Sequence, residues 1–144
     1  MSTVSKIMSK QPKTVGASVS VVSAAKKMKA ARVGSLLVKK GKKWVGIVTD
    51  TDIVRRAVST SKPLGKMTVD KIMTSPICTI EGAQSVHDAE DMMGDLGVRH
   101  LAVTKAGEIV GVVSVRDVMR FYKRYAQSSI KPEASYSEPK ISQD

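Results

Sequence analysis

Two short stretches of the chain carry residues able to grip a phosphorylated sugar. In Ser114-Val115-Arg116-Asp117 an apolar run ends and a helical pattern begins. Backbone N–H groups at a helix start are unpaired and favour anions. The Ser114 hydroxyl can donate to a phosphate oxygen, and Arg116 offers a planar donor fork suited to phosphate. Asp117 falls in the first turn, where the helix dipole favours a carboxylate, and it can accept two hydrogen bonds from a vicinal diol such as ribose presents. The same spacing also describes a cap, with Ser114 as the N-cap and Asp117 completing it. Spacing alone favours the cap, and the two roles can coexist. Thr49-Asp50-Thr51-Asp52 is the second stretch. There Asp50 and Thr51 replace Val115 and Arg116, and an extra carboxylate repels phosphate unless a cation bridges them. The Ser114–Asp117 stretch is therefore expected to bind more tightly.

Little else in the chain suggests chemistry. The single cysteine, Cys78, sits in Pro76-Ile77-Cys78-Thr79-Ile80, which reads as a buried strand and makes it a small hydrophobe. One Cys and two distant histidines, His87 and His100, form no metal site. No nucleophile–base–orienter set is visible, and Glu81, Glu90 and Glu108 are scattered on surfaces by pattern. Gly41-Lys42-Lys43 lacks the glycines and the following Ser/Thr of a phosphate-binding loop. No catalytic residue and no metal ligand is expected, so the chain does not read as an enzyme.

The elements that must position these residues come in duplicate. Val4-Ser5-Lys6-Ile7-Met8 returns as Val69-Asp70-Lys71-Ile72-Met73, and Gly46-Ile47-Val48-Thr49-Asp50-Thr51-Asp52-Ile53 as Gly111-Val112-Val113-Ser114-Val115-Arg116-Asp117-Val118, both at an offset of 65. Ala25-Lys26-Lys27-Met28 aligns with Ala89-Glu90-Asp91-Met92 at 64, as a one-residue deletion would produce. Each copy predicts a strand (13–16, 77–80), then a helix (18–32, 84–97) capped by Ser18 or Ser85. A hairpin follows (35–39 with 43–49, 100–104 with 108–114), and a closing helix (50–58, 115–126). In the last helix Val118, Met119, Tyr122 and Tyr125 form an apolar face. Ser59 to Thr68 reads as the linker, dividing the chain into units 1–62 and 63–126. The segment 127–144, rich in Ser, Pro and charge, reads as a flexible tail.

These blocks resemble the CBS domain, and their duplication resembles the tandem pair called a Bateman module, over residues 4 to about 124. The residues that carry the resemblance are Val-x-x-Ile-Met, a Pro followed by Thr14-Val15 or Thr79-Ile80, and Gly followed by two hydrophobic residues, Thr or Ser, two further residues and Asp. It implies an α+β fold: two βαββα-type units packed through their sheets with pseudo-twofold symmetry, and two clefts between them. Either cleft would bind an adenosine nucleotide, AMP foremost, or ADP or ATP; Mg²⁺ with a triphosphate is an option at the Thr49–Asp52 stretch, where Asp50 adds a carboxylate. The resemblance assigns Thr79, Ile80, Arg99, His100, Ser114, Arg116 and Asp117 to the second-unit site. The first-unit site would comprise Thr14, Val15, Gly34, Ser35, Thr49, Thr51 and Asp52. The backbone and apolar surface of Thr79-Ile80 and Arg99-His100 would hold the adenine. It also implies a homodimer and a regulated protein partner. A scaffold that dimerises without ligand is the alternative within the same fold.

Charge adds a further alternative. Of the net charge of +11, residues 1–65 carry +12, with 14 Lys/Arg against 2 acids, while residues 66–126 are balanced. Such asymmetry suits phosphates or an acidic partner, and leaves nucleic acid as a secondary binding partner. Only 3% of residues are aromatic, too few for a base-stacking platform. No apolar run is long enough to span a membrane and no secretory h-region opens the chain, so a cytoplasmic location is expected.

Overall fold

The computed structural model of the protein describes residues 2–129. The first half of the chain forms α1 (Val4–Ile7), β1 (Ser9–Lys10), β2 (Thr14–Gly16), α2 (Val21–Ala31), β3 (Ser35–Lys40), β4 (Lys43–Thr49) and α3 (Asp50–Asp52). The second half forms β5 (Thr79–Glu81), α4 (Val86–Leu96), β6 (His100–Lys105), β7 (Glu108–Ser114) and α5 (Val115–Ser129). Each half is a βαββα unit in which the first strand lies parallel to the second and the second pairs antiparallel with the third.

Burial on two faces explains the continuous apolar runs at the centre of each sheet. In β3, Leu36 and Val38 face a core under α2, while Leu37 faces the other unit. In β6, Leu101 and Val103 face the core under α4, and Ala102 meets Leu37 and Ile47 between the sheets. The units thus pack sheet to sheet, with the pseudo-twofold relation expected.

The structural repeat keeps a single offset. Val21, Ala24 and Met28 are buried on α2 where Val86, Ala89 and Met93 are buried on α4, all 65 apart. The expected deletion in this helix is therefore not observed; an offset of 64 would set half-buried Ala25 against buried Ala89 and buried Met28 against half-buried Met92. The cap of α2 is Ser20, which accepts from the Ser23 N–H at 3.1 Å, not Ser18. Ser85 caps α4 as expected, in a reciprocal capping box with Asp88.

Two further expectations change. The predicted helix 50–58 is α3 followed by a π-turn at Ile53–Ala57 and a 3-10 turn at Val58–Thr60, and the linker holds another 3-10 turn at Leu64–Lys66. In α5 only Val118 of the predicted apolar face is buried; Met119, Tyr122 and Tyr125 are exposed, and Phe121 packs on the core instead. Helix α5 continues to Ser129, and the rest of the expected tail, 130–144, lies outside the described residues.

The Val-x-x-Ile-Met segments cross between units. The Val4 N–H donates to Gln84 O at 2.8 Å, the Ser5 N–H to Gly82 O at 3.0 Å, and β1 pairs with β7, so Val4 lies in the second unit's core. Conversely, Val69 and Ile72 lie in the first unit's core, and Thr74 exchanges backbone hydrogen bonds with Ile47. Packing thus runs across the sequence boundary at 62/63. The repeated glycines explain how the crossing strands fit. A Cβ on Gly46 would lie 2.8 Å from Thr74 O, and one on Gly111 would lie 2.7 Å from Ser9 O.

Candidate functional site

The crossover places the segment Ser9–Lys13 opposite the turn Ser114–Asp117, and between them opens a cleft of 1370 Å³. Gly34 and Ser35, at the start of β3, meet their pseudo-twofold equivalents Arg99 and His100 on its floor. Helix α5 lines one side with Arg116, Met119, Arg120 and Lys123, whose spacing puts them on one face.

The turn at Ser114 is a cap and also faces the cleft. Asp117 N–H donates to Ser114 Oγ at 3.2 Å, and Asp117 Oδ2 accepts from the Ser114 N–H at 2.8 Å and from its hydroxyl at 3.0 Å. The Ser114 hydroxyl thus donates to Asp117 in this structure. Among the described residues, the ion-pair partner of the other carboxylate oxygen, Oδ1, is Arg120 at 3.8 Å, and the Asp117 side chain is 13% exposed. An oxygen so placed can still accept from a ligand hydroxyl.

The matching turn in the first unit is closed. Asp52 is 6% exposed. It forms a capping box with Thr49, receives the Thr74 hydroxyl at 3.2 Å and faces Arg56 at 3.7 Å. Where Arg56 stands, the second unit has Phe121, which packs into the core. Asp52 is fully engaged by its own chain.

Of the residues expected in the second-unit site, Arg99, His100, Ser114, Arg116 and Asp117 line the cleft; Thr79 and Ile80 do not. Strand β5 pairs Thr79 with Ala102, two residues beyond His100, and Ile80 belongs to the core. From the first-unit set, Gly34 and Ser35 line this same cleft, while Thr14, Val15, Thr49, Thr51 and Asp52 do not. Val15 is a core residue under α2. Asp50 was set against the first site, yet it lines this cleft: its carboxylate lies beside Gly34 and His100. Sequence reasoning missed Ser9–Lys13, Arg32, Asp50, Arg120 and Lys123. The basic excess of the first half was the available signal for Lys10, Lys13 and Arg32.

Electrostatics in the cleft are strongly positive. Lys10, Lys13, Arg32, Arg99, Arg116, Arg120 and Lys123 face two carboxylates, Asp50 and Asp117. His100 is held below its ordinary value of 6.5 by burial, with Arg99 pushing the same way against the opposing pull of Asp50, Asp117 and Asp52. Burial thus favours the neutral ring, which can both donate and accept a hydrogen bond. The apolar lining is aliphatic, from Val33, Val112, Val115 and Met119. Among the described residues no group of three or more His, Cys, Asp or Glu could hold a metal ion, and no helix is long and apolar enough to cross a membrane.

The chain is similar to proteins with this architecture. An uncharacterised 17.7 kDa protein of Acidianus ambivalens is 36% identical over 119 residues, covering 81% of this chain and 71% of that protein. The chain spans 58% of another archaeal relative, from Methanopyrus kandleri. A solved structure of a protein with CBS domains from Burkholderia ambifaria superimposes with a TM-score of 0.83 at 27% identity, covering 92% of this chain and all of that one. The hexameric CBS-CP12 protein of bloom-forming cyanobacteria gives a TM-score of 0.79 at 25% identity, over 92% of this chain and 77% of that one. The model of the CBS domain matches twice, at residues 4–59 and 69–124. With both halves matched, the sheets packed face to face and the paired turns in place, the chain belongs to the CBS domain family and is a tandem pair of its domains.

Proposed function

We propose that this tandem pair is a regulatory module that binds an adenosine nucleotide in the cleft between Ser9–Lys13 and Ser114–Asp117, and that occupancy of the cleft is read by a protein partner rather than by chemistry. The observation that supports this reading is Asp117 Oδ1, which takes part in no hydrogen bond among the described residues and lies 3.8 Å from Arg120, in a cleft lined by cationic side chains. In this reading the carboxylate accepts from the ribose diol, the guanidinium and ammonium groups hold phosphate, and Gly34, His100 and the valines flank the base. Any Mg²⁺ would arrive with a triphosphate and take most of its ligands from it.

Titration calorimetry and thermal melting with AMP, ADP and ATP test the reading. At least one nucleotide is expected to raise the melting temperature. Asp117→Ala is expected to weaken its binding about tenfold or more, the scale of lost charge-assisted hydrogen bonds. Asp52→Ala should leave affinity nearly unchanged while lowering stability, because its carboxylate serves the fold. Equal loss of affinity in both variants, or no binding of any adenosine compound, overturns the proposal.

The same module is proposed to self-associate. Tyr122 on α5, Leu96 at the end of α4, and Val54 and Val58 after α3 are large apolar side chains left exposed. The hexameric CBS-CP12 relative shows that a protein with such a pair assembles into higher order.

A further inference from the structure

The cleft carries more positive charge than a nucleoside monophosphate can use. Of its seven cationic side chains, only Arg120 has an ion-pair partner among the described residues, and that pair is long. Lys10, Lys13, Arg32, Arg99, Arg116 and Lys123 repel one another across a concave surface, where walls of low dielectric strengthen the field. Asp50 and Asp117 offset only part of it. A ligand with several negative charges relieves this repulsion, and each added phosphate relieves more of it.

Arg32 supplies an independent argument from the backbone. It ends α2 in the left-handed conformation, at φ 55°, where the equivalent residue at the end of α4 is Gly97, at φ 66°. A residue with a Cβ is strained there and glycine is not. The first unit keeps an arginine at this strained position, and its side chain lines the cleft. Strain of this kind is characteristically retained where a side chain serves a site.

The elements also lie in a useful order. Lys10, Lys13 and Arg32 come from the first half of the chain, whereas Arg116, Arg120 and Lys123 form one stripe on α5 in the second half. The volume of 1370 Å³ exceeds the range of roughly 300–1,000 Å³ typical of small-ligand pockets, so an extended anion has room between them.

We propose that the cleft ranks its ligands by phosphate charge, taking a nucleoside triphosphate in preference to a monophosphate, with the phosphate chain held between Lys13 and Arg32 on one half and the Arg116–Arg120–Lys123 stripe on the other. The proposal rests on the reading of the cleft as a nucleotide site, and it replaces AMP with ATP as the preferred ligand.

Titration calorimetry of the full chain with AMP, ADP, ATP and inorganic tripolyphosphate, without divalent cation, tests it. At about 50 mM salt ATP should bind at least about tenfold more tightly than AMP, with ADP between, and the gap should narrow at about 300 mM salt as screening grows. Lys123→Gln and Arg32→Gly should each weaken ATP several-fold while leaving AMP within about twofold, since a monophosphate meets fewer of these charges. The melting temperature of free Arg32→Gly should be unchanged or higher, which separates lost binding from lost folding. AMP binding as tightly as ATP at low salt overturns the ranking and leaves the nucleotide reading standing. Tripolyphosphate binding as tightly as ATP supports the ranking by charge and overturns the nucleoside reading. Failure of all four compounds to bind overturns both.

Discussion

At the scale of single residues, two aspartates at equivalent positions have different surroundings. Asp52 and Asp117 occupy the same place in the repeat, and the sequence marks both as caps and as sugar contacts. Arg56, one turn on from Asp52, is replaced by Phe121 in the second unit, and Thr74, far along the chain, donates its hydroxyl to Asp52. No local spacing reports this, because the partner Thr74 comes from the crossing segment. His100 lends itself to a prediction of pH dependence. Burial lowers its folded-state pKa below 6.5, against the pull of Asp50, Asp117 and Asp52 and together with the push of Arg99. The unfolded chain therefore binds more protons than the folded one in the window from its folded value up to 6.5. The contribution is fully present above that window and is lost as pH falls through it. Urea denaturation of the free protein should show stability decreasing from about pH 7.5 to about pH 5.5, with a shallower slope in His100→Gln. Identical slopes in the two proteins would contradict this assignment.

At the scale of elements, the duplicated blocks reveal strands, hairpins and caps, because hydrophobic periodicity is a local property of the chain. The single 65-residue offset becomes plain only from burial, since Met28 and Met93 are equivalent while the lysines and acids around them are not. The crossover was not legible. Val4-Ser5-Lys6-Ile7-Met8 and Val69-Asp70-Lys71-Ile72-Met73 are near copies, so the pattern that says each must be buried is silent on which unit buries it. That ambiguity hid one side of the cleft, Ser9–Lys13. The repeated glycines in β4 and β7 are its trace in the sequence, since they leave room for a foreign backbone. Gly111→Ala should destabilise the protein by about 2 kcal/mol, the scale of overpacking a filled core, because the new methyl meets Ser9 O and Met8 Sδ. Gly65→Ala, where nothing lies within 4 Å of the added atom, is the control and should change stability little. Chemical denaturation of the two variants checks both.

At the scale of the whole molecule, charge and apolar surface are unevenly shared. The first half carries the basic excess, whereas α4 bears exposed acids, including Asp88, Glu90, Asp91 and Asp95. Of the exposed apolar residues, Leu96 ends α4, Val54 and Val58 follow α3, and Tyr122 lies on α5. If copies associate through these faces, Leu96→Glu, placed on a residue 53% exposed, should shift the sedimentation coefficient toward that of the monomer without unfolding the chain. A wild-type protein that sediments as a monomer at all concentrations would rule out this surface as a self-association site.

The reciprocal exchange of the Val4 and Val69 segments has a consequence for how such a pair can be divided. A cut between Ser59 and Pro63 severs a surface connection, yet each resulting piece keeps a segment that completes the other's interior and lacks the one that completes its own. The halves are therefore obligate complements, like two hands in a handclasp, and the indivisible unit of folding is the pair.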